Sequence, residues 1–381
     1  MIATPEDLLP GTEVRISADS HVAEPLDLWV KRFPAPLRDR APEFKEPPIN
    51  SHTRDGGWDP ALRLQDMAVD HMTAEGLYPS IGAKAFGMED TAITEAFASV
   101  YNDWLVEYCQ YAPERLWGLA VVPLWDVDWA TAEMERTRKQ GMVGVNIWMV
   151  PPDSLPFYSA HYERFWAAAQ DLEMPVSLHI NSGFGAFKRI PPSGSIEGVS
   201  FRAHGHAELG KEALSEIILS GVLERHPRLK VIIAEVNMGW APFWLQELDE
   251  NYQRYVHRTT EDTNAGMLAK LPLLPSQYYE RQCYATFMDD TMGAYQVARR
   301  WHETAMWSTD YPHWNGIWPR GTEVLNRTLT PLTPEQRRDV VCNNVARLYN
   351  KPVPPPLPPS DRLPSMEEWP ARLQRQHVRN V

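Results

Sequence analysis

The sequence predicts an α/β fold in which eight strand-then-helix units close into a single barrel, followed by a Pro-rich C-terminal arm. Three observations support this. Short runs rich in β-branched and apolar residues recur along the chain, each trailed by a longer helix-compatible stretch. Their spacing is too regular for two domains, which places one barrel of the TIM type over residues 1–350 and the arm over 351–381. No Gly-x-Gly-x-x-Gly turn follows the first run, so a doubly wound open sheet lacks its usual fingerprint.

Taken in order, the strands begin at Val14–Ala18, Ala74–Tyr78, Gly118–Val122 and Gly144–Trp148. The second half supplies Val176–His179, Val231–Ala234, Cys283–Thr286 and Ala305–Ser308. Between them the helical stretches are Thr91–Cys109, Trp129–Gln140, Ala160–Leu172, Leu209–Leu223, Trp240–His257 and Thr291–Arg300. A last helix, Thr333–Leu348, opens on a Thr-Pro-Glu cap signal. Pro34, Pro36, Pro42, Pro47 and Pro48 bar regular helix near the start. Pro352, Pro354, Pro355, Pro356, Pro358 and Pro359 make the tail an extended arm, with one short helix expected over Ser365–Arg375. Such an arm is expected to dock on a neighbouring subunit.

Composition narrows the function. The 381 residues include 43% hydrophobic and 23% charged side chains, close to the globular average. No run approaches the roughly 20 apolar residues that cross a bilayer. The formal charge of −13 repels phosphate backbones and anionic headgroups, so neither nucleic acid nor membrane is an expected partner. The first residues lack the features of a secretory signal, and the expected compartment is the cytoplasm. Cys109, Cys283 and Cys342 are too far apart to suggest a disulfide framework or a thiolate zinc site.

In a barrel of this kind, functional groups gather where strands end. Strand one runs into Asp19-Ser20-His21, whose period-two spacing turns both potential ligands to one side. Strand five ends at His179, followed by Asn181; strand six ends at Glu235; strand eight leads to Asp310 and then His313. Each alone is ordinarily a cap or a solvated loop group. Jointly they form a nitrogen and oxygen set suited to zinc, manganese or iron. His204 and His206, after strand five, are candidate further ligands or acid/base groups. His161, His226, His257, His302 and His377 fall in or beside helices and are expected at the surface. Trp148 is one of several tryptophans near strand ends that would line a pocket.

These residues resemble the amidohydrolase superfamily, in the branch that includes aminocarboxymuconate-semialdehyde decarboxylase and γ-resorcylate decarboxylase. The resemblance spans most of the chain and rests on five segments. They are Ala18-Asp19-Ser20-His21-Val22-Ala23-Glu24-Pro25, Pro175–His179, Gly221–Lys230, Thr309-Asp310-Tyr311-Pro312-His313 and Asn343–Tyr349. It implies a distorted barrel holding one divalent metal, with Asp19, His21, His179 and Asp310 as ligands. Two departures matter. The family's strand-one pair is usually His-x-His, and Asp19 stands first here, as in decarboxylase-like members. Those decarboxylases carry a catalytic His after strand six in an Ala-His-Gly-Gly-like sequence, where this chain reads Ala234-Glu235-Val236-Asn237.

The resulting expectation is a metal-dependent hydrolase or decarboxylase of a small carboxylic or aromatic acid. Asp19, His21, His179 and Asp310 would hold the ion, and Glu235 would handle protons or add a ligand. His313 is a candidate catalytic or substrate-contacting group, and Asn181, Arg202, His204, His206 and Trp148 are candidate substrate contacts. The resemblance also leaves open a dinuclear iron or manganese hydroxylase, in which Glu235 helps hold a second ion and the chain is one subunit of a two-protein system. A third reading is a non-catalytic metal-binding barrel that supports a paralogue. Either a homo-oligomer or a hetero-oligomer with a related subunit is compatible with the arm.

Overall fold

The computed structural model describes residues 13–46, 54–180, 182–184, 195–256, 268–358 and 360. Eight parallel strands lie side by side in chain order: β1 (Ile16–His21), β2 (Ala74–Tyr78), β3 (Leu116–Val121), β4 (Gly144–Ile147), β5 (Val176–His179), β6 (Val231–Ala234), β7 (Cys283–Phe287) and β8 (Ala305–Trp307). All eight runs read from the sequence are present. Every strand is buried along its whole length, as a parallel sheet covered by helices requires, and this is why each reads as a near-continuous apolar run.

The sheet closes through the residues that follow β8. The Thr309 amide donates to Ser17 Oγ at 2.9 Å, the Asp310 amide to the Asp19 carbonyl at 3.0 Å, and the His21 amide to the Tyr311 carbonyl at 2.5 Å. Strand β1 therefore extends three residues beyond the expected Val14–Ala18 run, and Asp19 and His21 lie within it. Between Ser17 and Ser20 its pairing with β2 shifts register, leaving an extra residue on β1 beside the first donor.

Most helices begin within two residues of their expected starts. The exception follows β5, where the helix runs over Ile196–Leu219 instead of starting at Leu209. Ser195 caps it by accepting from the Gly198 amide at 2.9 Å. Gly198, Gly205 and Gly210 interrupt its side-chain pattern, and Ile196 and Val199 put apolar groups on its solvent face, so no amphipathic period announces its first half. At Gly205 a Cβ would come 2.4 Å from the Phe201 ring, which would have to move to admit one. The helix stops at Gly221, whose φ of +80° suits glycine, instead of running on to Leu223.

The final helical segment begins at Thr333 with a reciprocal cap. The Gln336 amide donates to Thr333 Oγ1 and the Thr333 amide to Gln336 Oε1. Further along, Asn344 Nδ2 donates to the carbonyls of His302 and Ala305, tying this segment to the start of β8. Beyond it the arm has no regular structure over 351–358, and Leu357 packs against the chain's own core. The expected helix over Ser365–Arg375 lies outside the described residues. Among the described residues, no helix is long and apolar enough to cross a membrane.

Candidate metal centre

Four strand ends deliver the donor groups to one place. Asp19 and His21 come from β1, His179 ends β5, Glu235 directly follows β6, and Asp310 and His313 lie on the closing segment after β8. Glu235 and Asp310 have left-handed backbones, with φ of +60° and +55°. For residues bearing a Cβ this conformation costs of order 1–3 kcal/mol, a strain that persists where surrounding structure holds a side chain in position.

Both central imidazoles are oriented by their outer nitrogens. His21 Nδ1–H donates to the Pro79 carbonyl at 2.9 Å, and His179 Nδ1–H to the Ile180 carbonyl at 2.8 Å. These bonds leave each Nε2 with a lone pair, and the two Nε2 atoms face each other at 3.1 Å. Two neutral acceptors at that distance repel unless a proton or a metal cation lies between them. The carboxylates complete the pattern. Asp19 Oδ1 lies 3.4 Å from His179 Nε2 and 3.6 Å from His21 Nε2, Asp310 Oδ1 lies 3.5 Å from His21 Nε2, and Glu235 Oε2 lies 3.4 Å from His179 Nε2. Metal bonds of about 2.1 Å place neighbouring donors about 3.0 Å apart in an octahedron and about 3.4 Å apart in a tetrahedron. The observed separations match those edges.

Charge balance favours the same conclusion. Asp19 Oδ1 and both Asp310 oxygens are buried without a well-aligned hydrogen bond, although His313 Nδ1 stands 2.8 Å from Asp310 Oδ1. Burial, then the neighbouring Asp19, holds the Asp310 carboxyl well above the usual carboxylate range. Burial and Asp310 push Glu235 up to about 8. Burial opposes charge on His179, yet Asp19 and Glu235 outweigh it and lift that imidazole to about 9. Burial drives His21 well below its ordinary value and His313 down to about 4. Crowded carboxylates that resist ionising, with His179 drawn to hold a proton while His21 and His313 resist one, are the environment a divalent cation relieves. The His, Asp and Glu groups fit such an ion. Two overlapping donor groups are present, one of Asp19, His21 and His179 and one of His21, Glu235, Asp310 and His313.

Other candidate residues have different surroundings. Arg202, His204 and His206 lie on the helix Ile196–Leu219 and line a cavity of about 330 Å³ that reaches Glu235. Trp148 is fully buried, edge-on to Trp125 at 5.4 Å and Tyr162 at 6.4 Å, within an aromatic cluster. Asn181 lies outside the described residues. His313 stacks on His21 with centroids 3.9 Å apart. One supporting residue escaped sequence reasoning. Thr286, inside β7, accepts from the Glu235 amide at 2.8 Å and donates to Asp19 Oδ2 at 3.0 Å. A threonine mid-strand carries no signal of that role, since β-branched residues are what strands ordinarily use. Thr286→Val, nearly isosteric, is expected to lower metal affinity about 10- to 100-fold with the barrel intact; metal titration beside a thermal melt checks both parts.

A parallel eight-stranded barrel with nitrogen and oxygen donors at the carboxyl ends of its strands defines a metal-site (β/α)₈ protein. The chain belongs to the amidohydrolase family, whose model, described as Amidohydrolase, matches residues 19–351. Among curated proteins it is similar to γ-resorcylate decarboxylase of Polaromonas, 27% identical over 201 residues, covering 49% of this chain and 60% of that protein. The corresponding Rhizobium decarboxylase is 29% identical over the same shares of both chains. The chain thus spans about 60% of the length of these relatives. Among solved structures, 2,6-dihydroxybenzoate decarboxylase matches with a TM-score of 0.66 at 20% identity, covering 89% of this chain and all of that one. The 5-carboxyvanillate decarboxylase of Sphingomonas paucimobilis gives 0.65 at 19%, covering 90% and 100%. These likenesses establish the barrel fold.

Proposed function

We propose that this protein is a divalent-metal-dependent decarboxylase of a small aromatic acid. The observation that carries the reading is the pair of His21 and His179 Nε2 atoms facing at 3.1 Å, ringed by the carboxylates of Asp19, Asp310 and Glu235. Decarboxylation is favoured over hydrolysis, hydroxylation or a non-catalytic role because the relatives described above are decarboxylases of hydroxylated benzoates. Related structures of 5-carboxyvanillate and dihydroxybenzoic acid decarboxylases contain manganese.

Asp19, His21, His179 and Asp310 would hold the ion, which when bound supplies positive charge for a substrate oxygen. His313 orients Asp310, and Thr286 orients Asp19. Glu235 stands where the cavity meets the donors and holds the proton. As the bond from ring carbon to carboxylate breaks, its electron pair stays on the ring carbon, carbon dioxide leaves, and Glu235 supplies the proton that forms the new C–H bond. Solvent then reprotonates Glu235. The protein is further proposed to be cytoplasmic, where its three buried free thiols stay reduced, and to associate with an identical or related subunit through its arm.

The test is release of carbon dioxide from a panel of hydroxylated benzoates, including 2,6-dihydroxybenzoate and 5-carboxyvanillate, by manganese-loaded protein. Turnover that disappears with chelator and returns with manganese is expected. Metal-loaded protein that releases none from any member overturns the proposal.

A further inference from the structure

Three residues past His21 the chain buries a carboxylate that the reaction does not use. Glu24 is fully buried and belongs to neither of the two donor groups. It accepts from three consecutive backbone amides: Ser80 at 3.1 Å and Gly82 at 2.9 Å on Oε1, and Ile81 at 2.8 Å on Oε2. Bonds from amides to a carboxylate are charge-assisted, and away from water they fix the backbone that supplies them. Gly82 permits the close approach. A Cβ there would stand 2.7 Å from the Tyr101 ring and 3.1 Å from Glu24 Oε1.

The bend held in this way is the one that orients His21. It follows β2, and Pro79 at its start supplies the carbonyl that accepts from His21 Nδ1–H. Proline has no amide with which to tie itself down, so the place of that carbonyl is set by whatever holds its neighbours. Before it, the Tyr78 carbonyl accepts from the Val22 amide at 3.0 Å. After it, Ser80 Oγ donates to the Val22 carbonyl at 2.6 Å, and Glu24 holds the next three amides. Ser80 Oγ also lies 3.5 Å from His313 Nε2, so the same bend borders the ring stacked on His21.

We infer that Glu24 is a positioning residue for the metal centre: it anchors the bend after β2 so that the Pro79 carbonyl keeps the His21 proton on Nδ1 and leaves the Nε2 lone pair to the donor cluster. A His21 able to carry its proton on Nε2 would present an N–H where a metal needs a lone pair, and binding would first have to move that proton. The inference needs the metal centre but not the decarboxylase reading, because its measurements are made without substrate. Failure to release carbon dioxide from any benzoate therefore leaves it standing.

Glu24→Gln in the full-length protein tests it. Whichever oxygen becomes the NH2 group, a donor then faces a donor, either at Ile81 or at Ser80 and Gly82 together, so the bend must shift while side-chain volume is kept. Manganese affinity, read by calorimetric titration, is expected to fall about 10- to 100-fold. In metal-free protein carrying isotope-labelled histidine, long-range proton–nitrogen NMR spectra should place the wild-type His21 proton on Nδ1 and show both tautomers in Glu24→Gln. Lost stability alone would not move that proton. Glu24→Asp, which keeps the charge but draws it one methylene back from the amides, should shift both readouts the same way, so the test does not hang on one variant folding. Unchanged manganese affinity in a folded variant, lost affinity with the His21 proton still wholly on Nδ1, or a wild-type His21 protonated on Nε2 would each overturn the inference.

Discussion

His179→Ala is expected to purify as a folded barrel with little or no bound metal and turnover reduced at least about a thousandfold, the scale of several kcal/mol of lost charge stabilisation. The fold survives because His179 contributes to the architecture through its backbone. Its carbonyl accepts from the Ser182 amide and hydroxyl, and the strand register Val176–His179 against Val231–Ala234 is made by main-chain groups that alanine retains. The metal is lost because Asp19 Oδ1, His21 Nε2 and Glu235 Oε2 all converge on the missing nitrogen.

A thermal measurement sharpens the test. Metal stabilises the wild type in proportion to the logarithm of its concentration over its Kd, so chelator should lower the wild-type Tm. In His179→Ala the same chelator should leave Tm unchanged. The metal-free variant should melt below the metal-free wild type, because it loses buried side chain and the attraction of Asp19 and Glu235 for the His179 imidazole. Retained metal in His179→Ala would remove this residue from the ligand set and with it the centre described here.

Much of the architecture was legible for a single physical reason. A strand buried on both faces must be apolar along its length, and the donors break that rule only at its carboxyl end. Asp19, His21, His179, Glu235, Asp310 and His313 were found by looking where apolar runs stop, and they do meet in space. What stayed hidden depends on backbone detail that composition does not encode. The register shift in β1 and the left-handed Asp310 lie at the closure of the barrel, a contact between residues about 290 apart in the chain, and the left-handed Glu235 lies where its amide meets Thr286. The first half of the helix Ile196–Leu219 was lost among its glycines, so the expected helix began only at Leu209, whereas Arg202, His204 and His206 lie on it and line a cavity. Trp148 does follow a strand end, packed edge-on against Trp125 and Tyr162.

Glu235→Gln distinguishes what this side chain does. Glutamine preserves its shape and can still accept from Asn315 Nδ2, which lies 3.4 Å from Oε1, and it places no new strain on the left-handed backbone. What it removes is a proton that can be given and regained, and one negative charge. If Glu235 is the proton donor, the variant keeps its metal and its affinity for aromatic acids while kcat falls by about 10² to 10⁴, the usual scale for a general acid. KM should move little, because the lost interaction belongs to the transition state. If instead Glu235 is itself a ligand, metal content falls together with kcat, because an amide oxygen is a poorer donor to a divalent ion than a carboxylate. Metal analysis and steady-state kinetics on one preparation therefore assign the role: full metal with slow turnover places the proton on Glu235, and joint loss makes it part of the metal's own shell.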